Sequence, residues 1–199
     1  MKRALWLPFT AAFLAVMVAA ALWSGTWRGP ISPDTLRAVG ISLDALTQGR
    51  LHVLATSIFF SNRPFMLYGQ LIFAAIVIGL VEYRYGAIRT ALWFGLLDFG
   101  GTLALFFLVV LPLSLFDRPD EMRMAAETDV GMSGGGFGFV GLLIGGLKPQ
   151  WRTGAIVLLY AYMLVRLIFF TEFLADTLHI ITATAGLAVA RSGIIARKT

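Results

Sequence analysis

Six apolar runs, strung along almost the whole chain, leave little of it to do anything but cross a lipid bilayer. They span 5–23, 64–81, 90–113, 131–147, 154–170 and 174–190. A helix rises about 1.5 Å per residue, so about 20 apolar residues cover the hydrocarbon core. Six such helices use roughly 120 positions, and a chain of 199 residues then has room only for loops. Composition agrees: 58% of the residues are hydrophobic and 14% charged, against about 45–50% and about 25% in soluble domains. Mean hydropathy is +0.82, too high for a disordered chain. The expected class is an all-α integral membrane protein, multi-pass, with residues 1–199 forming a single membrane domain. Its surroundings are the lipid bilayer. The net charge of +5 is explained by membrane topology rather than by nucleic-acid binding.

With six spans, the charges sort by side. Lys2, Arg3, Arg84, Arg89, Lys148, Arg152, Arg191, Arg197 and Lys198 fall on one side, with Glu82 as its only acid. Asp34, Asp44, Asp117, Asp120, Glu121, Glu127, Asp129, Glu172 and Asp176 fall on the other. Basic loops stay inside, so both termini are expected in the cytoplasm, and the cell's inner membrane is the expected location. The first run, after Lys2 and Arg3, also resembles a signal peptide; its length and the lack of a small-x-small cleavage site favour a retained helix. The first connection, 24–63, then lies outside, where Arg28, Arg37, Arg50 and Arg63 are the exceptions to the charge sorting. An amphipathic stretch over 36–60 lying in the interface would accommodate them.

Without cysteine, the chain has no disulfides, thiolate metal sites or cysteine nucleophiles. Two histidines, His52 and His179, do not make a histidine-rich metal site, and His52 reads as an interfacial loop residue. Gly134, Gly138, Gly141 and Gly145 repeat at helical spacing on one face of the fourth run. Ala183, Gly186 and Ala190 form a second small-residue stripe on the sixth. Bare stripes let helices approach closely in lipid, so the two are expected to pack on each other. Ser133 enters the fourth helix and His179 the sixth, both running inward, at depths that differ by about 4–5 Å at about 1.5 Å per residue. His179 precedes Gly186 by seven residues and shares its stripe. A hydroxyl beside an imidazole is the minimum unit of nucleophilic catalysis. The structural alternative for each alone is ordinary: a serine bonded to its own helix, a histidine facing the interface.

These residues resemble the rhomboid family of intramembrane serine proteases. Gly131-Met132-Ser133-Gly134 is similar to the family's Gly-x-Ser-Gly motif on its fourth helix. His179, followed by Gly186, is similar to its sixth-helix motif, and Glu82-Tyr-Arg-Tyr-Gly86 to the Glu-x-x-x-Gly turn closing its second helix. The resemblance covers nearly the whole chain after the first helix. It implies a six-transmembrane-helix rhomboid-like bundle and a Ser133–His179 dyad with no third carboxylate and no cofactor. It further implies a water-filled hollow open to the outside and, as partners, transmembrane protein substrates cut near the outer face.

Two departures mark a divergent, bacterial-type member. The family's second helix begins with His-x-x-x-Asn, whose side chains help hold the oxyanion; here those positions are Met66 and Gln70. An amide can donate and a thioether cannot. The Ser133 backbone amide and Gly131 of the motif remain as support, and Asn62 is a further candidate donor. The Trp-Arg pair usual in the first loop is replaced by His52-Val53, while Thr56 resembles the threonine that follows it.

Asp98 and Arg166 are charges within apolar runs, and each needs a partner in the bundle. An ion pair or charge–backbone contact locking the third and fifth helices is the expected arrangement; an ion path is the functional alternative. Asp176, three residues before His179, is placed to orient it, although acids at helix starts are ordinary. Three functions follow: an intramembrane serine endopeptidase, a rhomboid-like pseudoprotease that binds transmembrane helices without cutting, and a small transporter or channel.

Overall fold

The computed structural model describes residues 6–116, 126–170 and 172–195. Lys2, Arg3, Asp117, Asp120, Glu121, Arg197 and Lys198, used above to orient the chain, lie outside the described residues, as does the first position of the first run. The described residues are helical, with no β-strand beyond one isolated bridge between Ile41 and Asp129. We label the helices α1 (Pro8–Ser24), α2 (Pro33–Val39), α3 (Leu43–Thr47), α4 (Val53–Thr56), α5 (Pro64–Tyr85), α6 (Ala87–Ser114), α7 (Ser133–Gly145), α8 (Pro149–Phe169) and α9 (Phe173–Ser192).

Proline opens α1, α2, α5 and α8. It fixes a helical φ where its missing N–H would be unpaired anyway. Between α5 and α6 the chain turns on Gly86 alone, at φ +85°, a conformation that costs a residue with a Cβ but not glycine. Within α6 the turn widens to a π-helix over Leu105–Val110, just before Pro112, whose ring and missing N–H disturb the regular ladder. α5, α6, α8 and α9 are each long and apolar enough to cross a membrane, which makes this a membrane-embedded protein. α1 has 17 residues and α7 only 13.

The two short helices begin where no side chain of their own caps them. Unpaired amides are costly away from water, and in both cases a carboxylate from a neighbouring helix accepts from one or more of them. Glu82, near the end of α5, accepts from the Phe9 and Thr10 amides of α1 at 2.9 and 2.7 Å and from the Thr10 hydroxyl at 2.6 Å. The start of α1 therefore meets the end of α5, and the two run antiparallel. Asp98 of α6 accepts from the Gly135 amide of α7 at 2.6 Å.

The first connection is not one amphipathic helix. Ser32 and Ser42 cap α2 and α3 separately, and glycines at 40 and 49 follow each. Leu43, Leu46 and Val53 of these short helices are buried against Leu105, Phe106 and Val110 of α6 and Leu174 of α9. The connection is thus folded onto one end of the bundle. Ile41 and Asp129 exchange both backbone hydrogen bonds, at 2.8 Å each, and tie it to the segment leading into α7.

α7 and α9 make the closest helix contact. A Cβ at Gly141 would overlap the Ala183 carbonyl, one at Gly186 the Gly138 carbonyl, and one at Gly145 would lie 2.5 Å from the Ala190 Cβ. Gly134 lies beside Leu178 and Asp98, and Gly138 beside Leu97 of α6, so the first two glycines of the stripe also serve a second neighbour. The contacts ascend in the same direction along both helices, which are therefore parallel. Gly186→Ala gains about 1 kcal/mol of helix propensity, but the atoms its methyl meets are backbone and cannot rotate away. The expected outcome is a net loss of about 1–3 kcal/mol, measured by unfolding in mixed micelles.

Candidate active site

Ser133 is the first residue of α7 and is half-buried. The chain reaches it through Gly131, held at φ +138°, a value that favours glycine. The Gly131 amide donates to the Ser57 carbonyl at 2.9 Å, which fixes the turn against the first connection. In the first turn of α7 the Gly135 amide goes to Asp98 and the Gly136 amide to the Met132 carbonyl. The Ser133 and Gly134 amides are left without a hydrogen-bond acceptor among the described residues. Unpaired amides at a helix start carry partial positive charge.

Asp98 is 4% exposed, and Arg166 is not its partner. Arg166 Nε donates to Asp176 Oδ1 at 2.7 Å and its Nη2 to Glu172 Oε2 at 2.6 Å. The expected link between Asp98 and Arg166 is thus replaced by two local ones: Arg166 joins α8 to the start of α9, and Asp98 joins α6 to α7 through backbone. Asp98→Ala leaves the Gly135 amide without its acceptor at the cost of a lost buried hydrogen bond, about 1–3 kcal/mol. Unfolding in micelles is expected to show that loss, with Asp98→Asn, which keeps an acceptor oxygen, losing less.

His179 is buried on α9. Its ring stacks on Phe137, with centroids 4.2 Å apart and planes at 28°. Phe137 is four residues after Ser133 and so lies one turn below it on the same face. Phe137 therefore shares a helix face with Ser133 and carries His179 across the α7–α9 contact. His179 Nε2 is buried with no hydrogen-bond partner among the described residues, so the serine hydroxyl and the imidazole are not bonded to each other. Asp176 Oδ1 is 3.8 Å from His179 Nδ1, too far for a hydrogen bond, and is already taken by Arg166. Asp176 thus makes no hydrogen bond to the imidazole and stands as an acid at a helix start, paired with Arg166.

Around the Gly131 turn, the Gln70 amide lies close enough that a Cβ on Gly131 would overlap Nε2, and Met66 Cε would be 2.9 Å away. Gln70 Oε1 accepts from the buried Ser61 hydroxyl at 2.6 Å. Asn62 lies beside them: its backbone amide is 3.4 Å from Met66 Sδ, and its own Oδ1 is buried without a partner among the described residues. Gln70, Met66, Gly131 and Asn62 thus gather at the turn before Ser133. Phe137 and Ser61 are additions that sequence spacing alone did not single out, although Phe137 stands at i+4 from Ser133. His52 is exposed, and Thr56 donates to the Val39 carbonyl at 2.9 Å within the first connection. Among the described residues no three His, Asp or Glu side chains are grouped to hold a metal ion.

Asp129, half-buried in the segment leading into Ser133, has its carboxyl pushed up to about 6, chiefly by burial, with Glu127 and Glu172 adding in the same sense. A carboxyl raised above its unfolded value holds its proton better in the folded state. Its contribution to stability is therefore greatest below about 4 and falls as pH rises to about 6. Asp129→Asn is expected to flatten that part of the parent's stability–pH curve; equal slopes for parent and variant would count against it.

Neither the protein-family models nor the curated proteins include a match to this chain.

Proposed function

We propose that the chain is an intramembrane serine endopeptidase of rhomboid type: six spans, both termini cytoplasmic, and the folded first connection, 24–63, on the outer face of the cell's inner membrane. Its substrates are transmembrane proteins, cut near that face. The observation that carries this reading is Phe137, one turn from Ser133 and stacked on His179, beside a buried Nε2 with no partner among the described residues. Catalytic hydrogen bonds are often long or unformed in a free enzyme and tighten when substrate binds. His179 Nε2 takes the Ser133 proton as Oγ attacks the scissile carbonyl carbon. The carbonyl oxygen, now negative, is held by the free amides of the α7 start and by Gln70 Nε2. The imidazolium returns the proton to the leaving nitrogen, and the peptide bond breaks. Water then repeats the sequence on the acyl-serine, releasing the carboxylate.

The second reading, a pseudoprotease that binds transmembrane helices, is favoured by Met66, which offers no donor at the turn, and by the unbonded Ser133 and His179. Reconstitution in liposomes with a single-pass reporter protein separates the two. Cleavage near the reporter's outer end by the parent, absent from Ser133→Ala, supports the endopeptidase. Capture of the reporter without cleavage supports the pseudoprotease.

A further inference from the structure

We propose that Ser61 is a positioning residue for the oxyanion donor: its hydroxyl holds the carbonyl end of the Gln70 amide, so that the –NH2 end faces the turn before Ser133. The inference rests on the endopeptidase reading.

A glutamine amide has one end that can stabilise a developing negative charge and one that opposes it. The two ends have nearly the same shape, and the terminal torsion is roughly two-fold, so packing alone does not choose between them. Gln70, in the second turn of α5, is 9% exposed, and Ser61, in the segment before that helix, is 1% exposed. Water is therefore not available to tie down the carbonyl end. The Ser61 hydroxyl donates to Oε1 at 2.6 Å, while Nε2 lies against Gly131. In the observed arrangement the hydroxyl donates and leaves Nε2 at the turn; the reversed amide would require the same hydroxyl to accept and would put Oε1 where charge forms during attack. Of the other side chains there, Met66 offers only a thioether, and Asn62 keeps its Oδ1 buried and without a partner among the described residues. The pair also joins two structures that must stay in register. Ser61 follows the turn at Ser57–Phe59, whose Ser57 carbonyl holds the Gly131 amide. One short segment thus fixes both the backbone turn before the serine and the side chain facing it.

The test uses the full chain in detergent and a fluorophosphonate probe, whose attack by serine places negative charge on a phosphonyl oxygen. Labelling rate and probe affinity are measured separately, with thermal unfolding followed in parallel. Ser61→Ala is expected to lower the maximal labelling rate about tenfold, the effect of one lost hydrogen bond, with apparent affinity unchanged. Ser61→Thr, which keeps the hydroxyl, is expected to restore it. Gln70→Glu keeps an acceptor for Ser61 but has no donor, and is expected to lower the rate about 10²-fold. Adding Ser61→Ala to Gln70→Glu is expected to produce no further fall, since a positioning residue has nothing left to position. If Ser61→Ala does not fold, Ser61→Thr and Gln70→Glu carry the comparison: parent-like labelling by Gln70→Glu overturns the proposal. So does a Ser61→Ala variant that labels like the parent, or one that falls tenfold on both the parent and the Gln70→Glu backgrounds. In these cases a parent labelled at Ser133 leaves the endopeptidase reading standing. A folded parent that does not label removes both.

Discussion

Ser133→Ala is expected to lower cleavage of a transmembrane reporter by about 10⁶-fold, the order found when a serine nucleophile or its base is removed. His179→Ala should fall equally far, and the double variant no further than either alone, because the two groups act as one unit. The fold should survive the first change. No described residue is hydrogen-bonded to the Ser133 side chain, and α7 is held by Asp98 and by glycine contacts that alanine at 133 does not touch. Loss of cleavage with unchanged unfolding is therefore the expected pattern. His179→Ala also removes the ring stacked on Phe137, so some loss of stability accompanies its loss of activity. Cleavage by Ser133→Ala at a tenth of the parent rate would place the chemistry elsewhere.

The largest effect on the fold is expected at Glu82. Its carboxylate, 3% exposed, receives three hydrogen bonds from the start of α1. Bonds to a charged acceptor contribute about 1.5–3 kcal/mol each, and donors left buried and unpaired add their own penalty. Their effects overlap, since the two amides and the hydroxyl share one acceptor. Glu82→Ala is accordingly expected to cost about 3–5 kcal/mol, from buried donors left unpaired at about 1–3 kcal/mol each. Glu82→Gln keeps an acceptor oxygen and the side chain's shape, and is expected to lose roughly half as much. Unfolding of both variants in mixed micelles checks the order. Equal stability of Glu82→Ala and the parent would mean that α1 is held by its apolar face alone.

Much of this architecture is legible in sequence because lipid imposes simple rules. Pro8, Pro64 and Pro149 mark helix starts, and glycine spacing marks the face on which α7 meets α9. Glu82 stood out as an acid among bases and as part of a turn motif, but its actual partners, Phe9 and Thr10, lie more than 70 residues away and no periodicity points to them. Asp98 and Arg166 show the same limit. Each plainly needed a partner, and comparing depths suggested each other. Depth is one coordinate, however, and an uncapped amide at a helix start also makes a charge-assisted hydrogen bond to a carboxylate. Arg166 instead met Asp176 and Glu172, which local sequence places within reach across a single turn.

Within the candidate site, Ser133, His179, Gln70 and Gly131 could be named from motif positions, whereas Phe137 and Ser61 could not. Phe137 reads as one more apolar residue on an apolar helix until its ring is seen against His179. Ser61 precedes α5 in a segment whose path depends on how 24–63 folds onto the bundle, where the stretch read only as amphipathic is divided among short helices.

The most direct test of the central claim is covalent labelling of the full chain by a fluorophosphonate probe, with the modified residue identified by mass spectrometry. An adduct on Ser133 of the parent, lost in both Ser133→Ala and His179→Ala, is the expected result, and it would mean a serine activated by that histidine. A well-folded parent without an adduct, or one equally labelled after His179→Ala, would contradict the dyad and leave a helix-binding protein in its place.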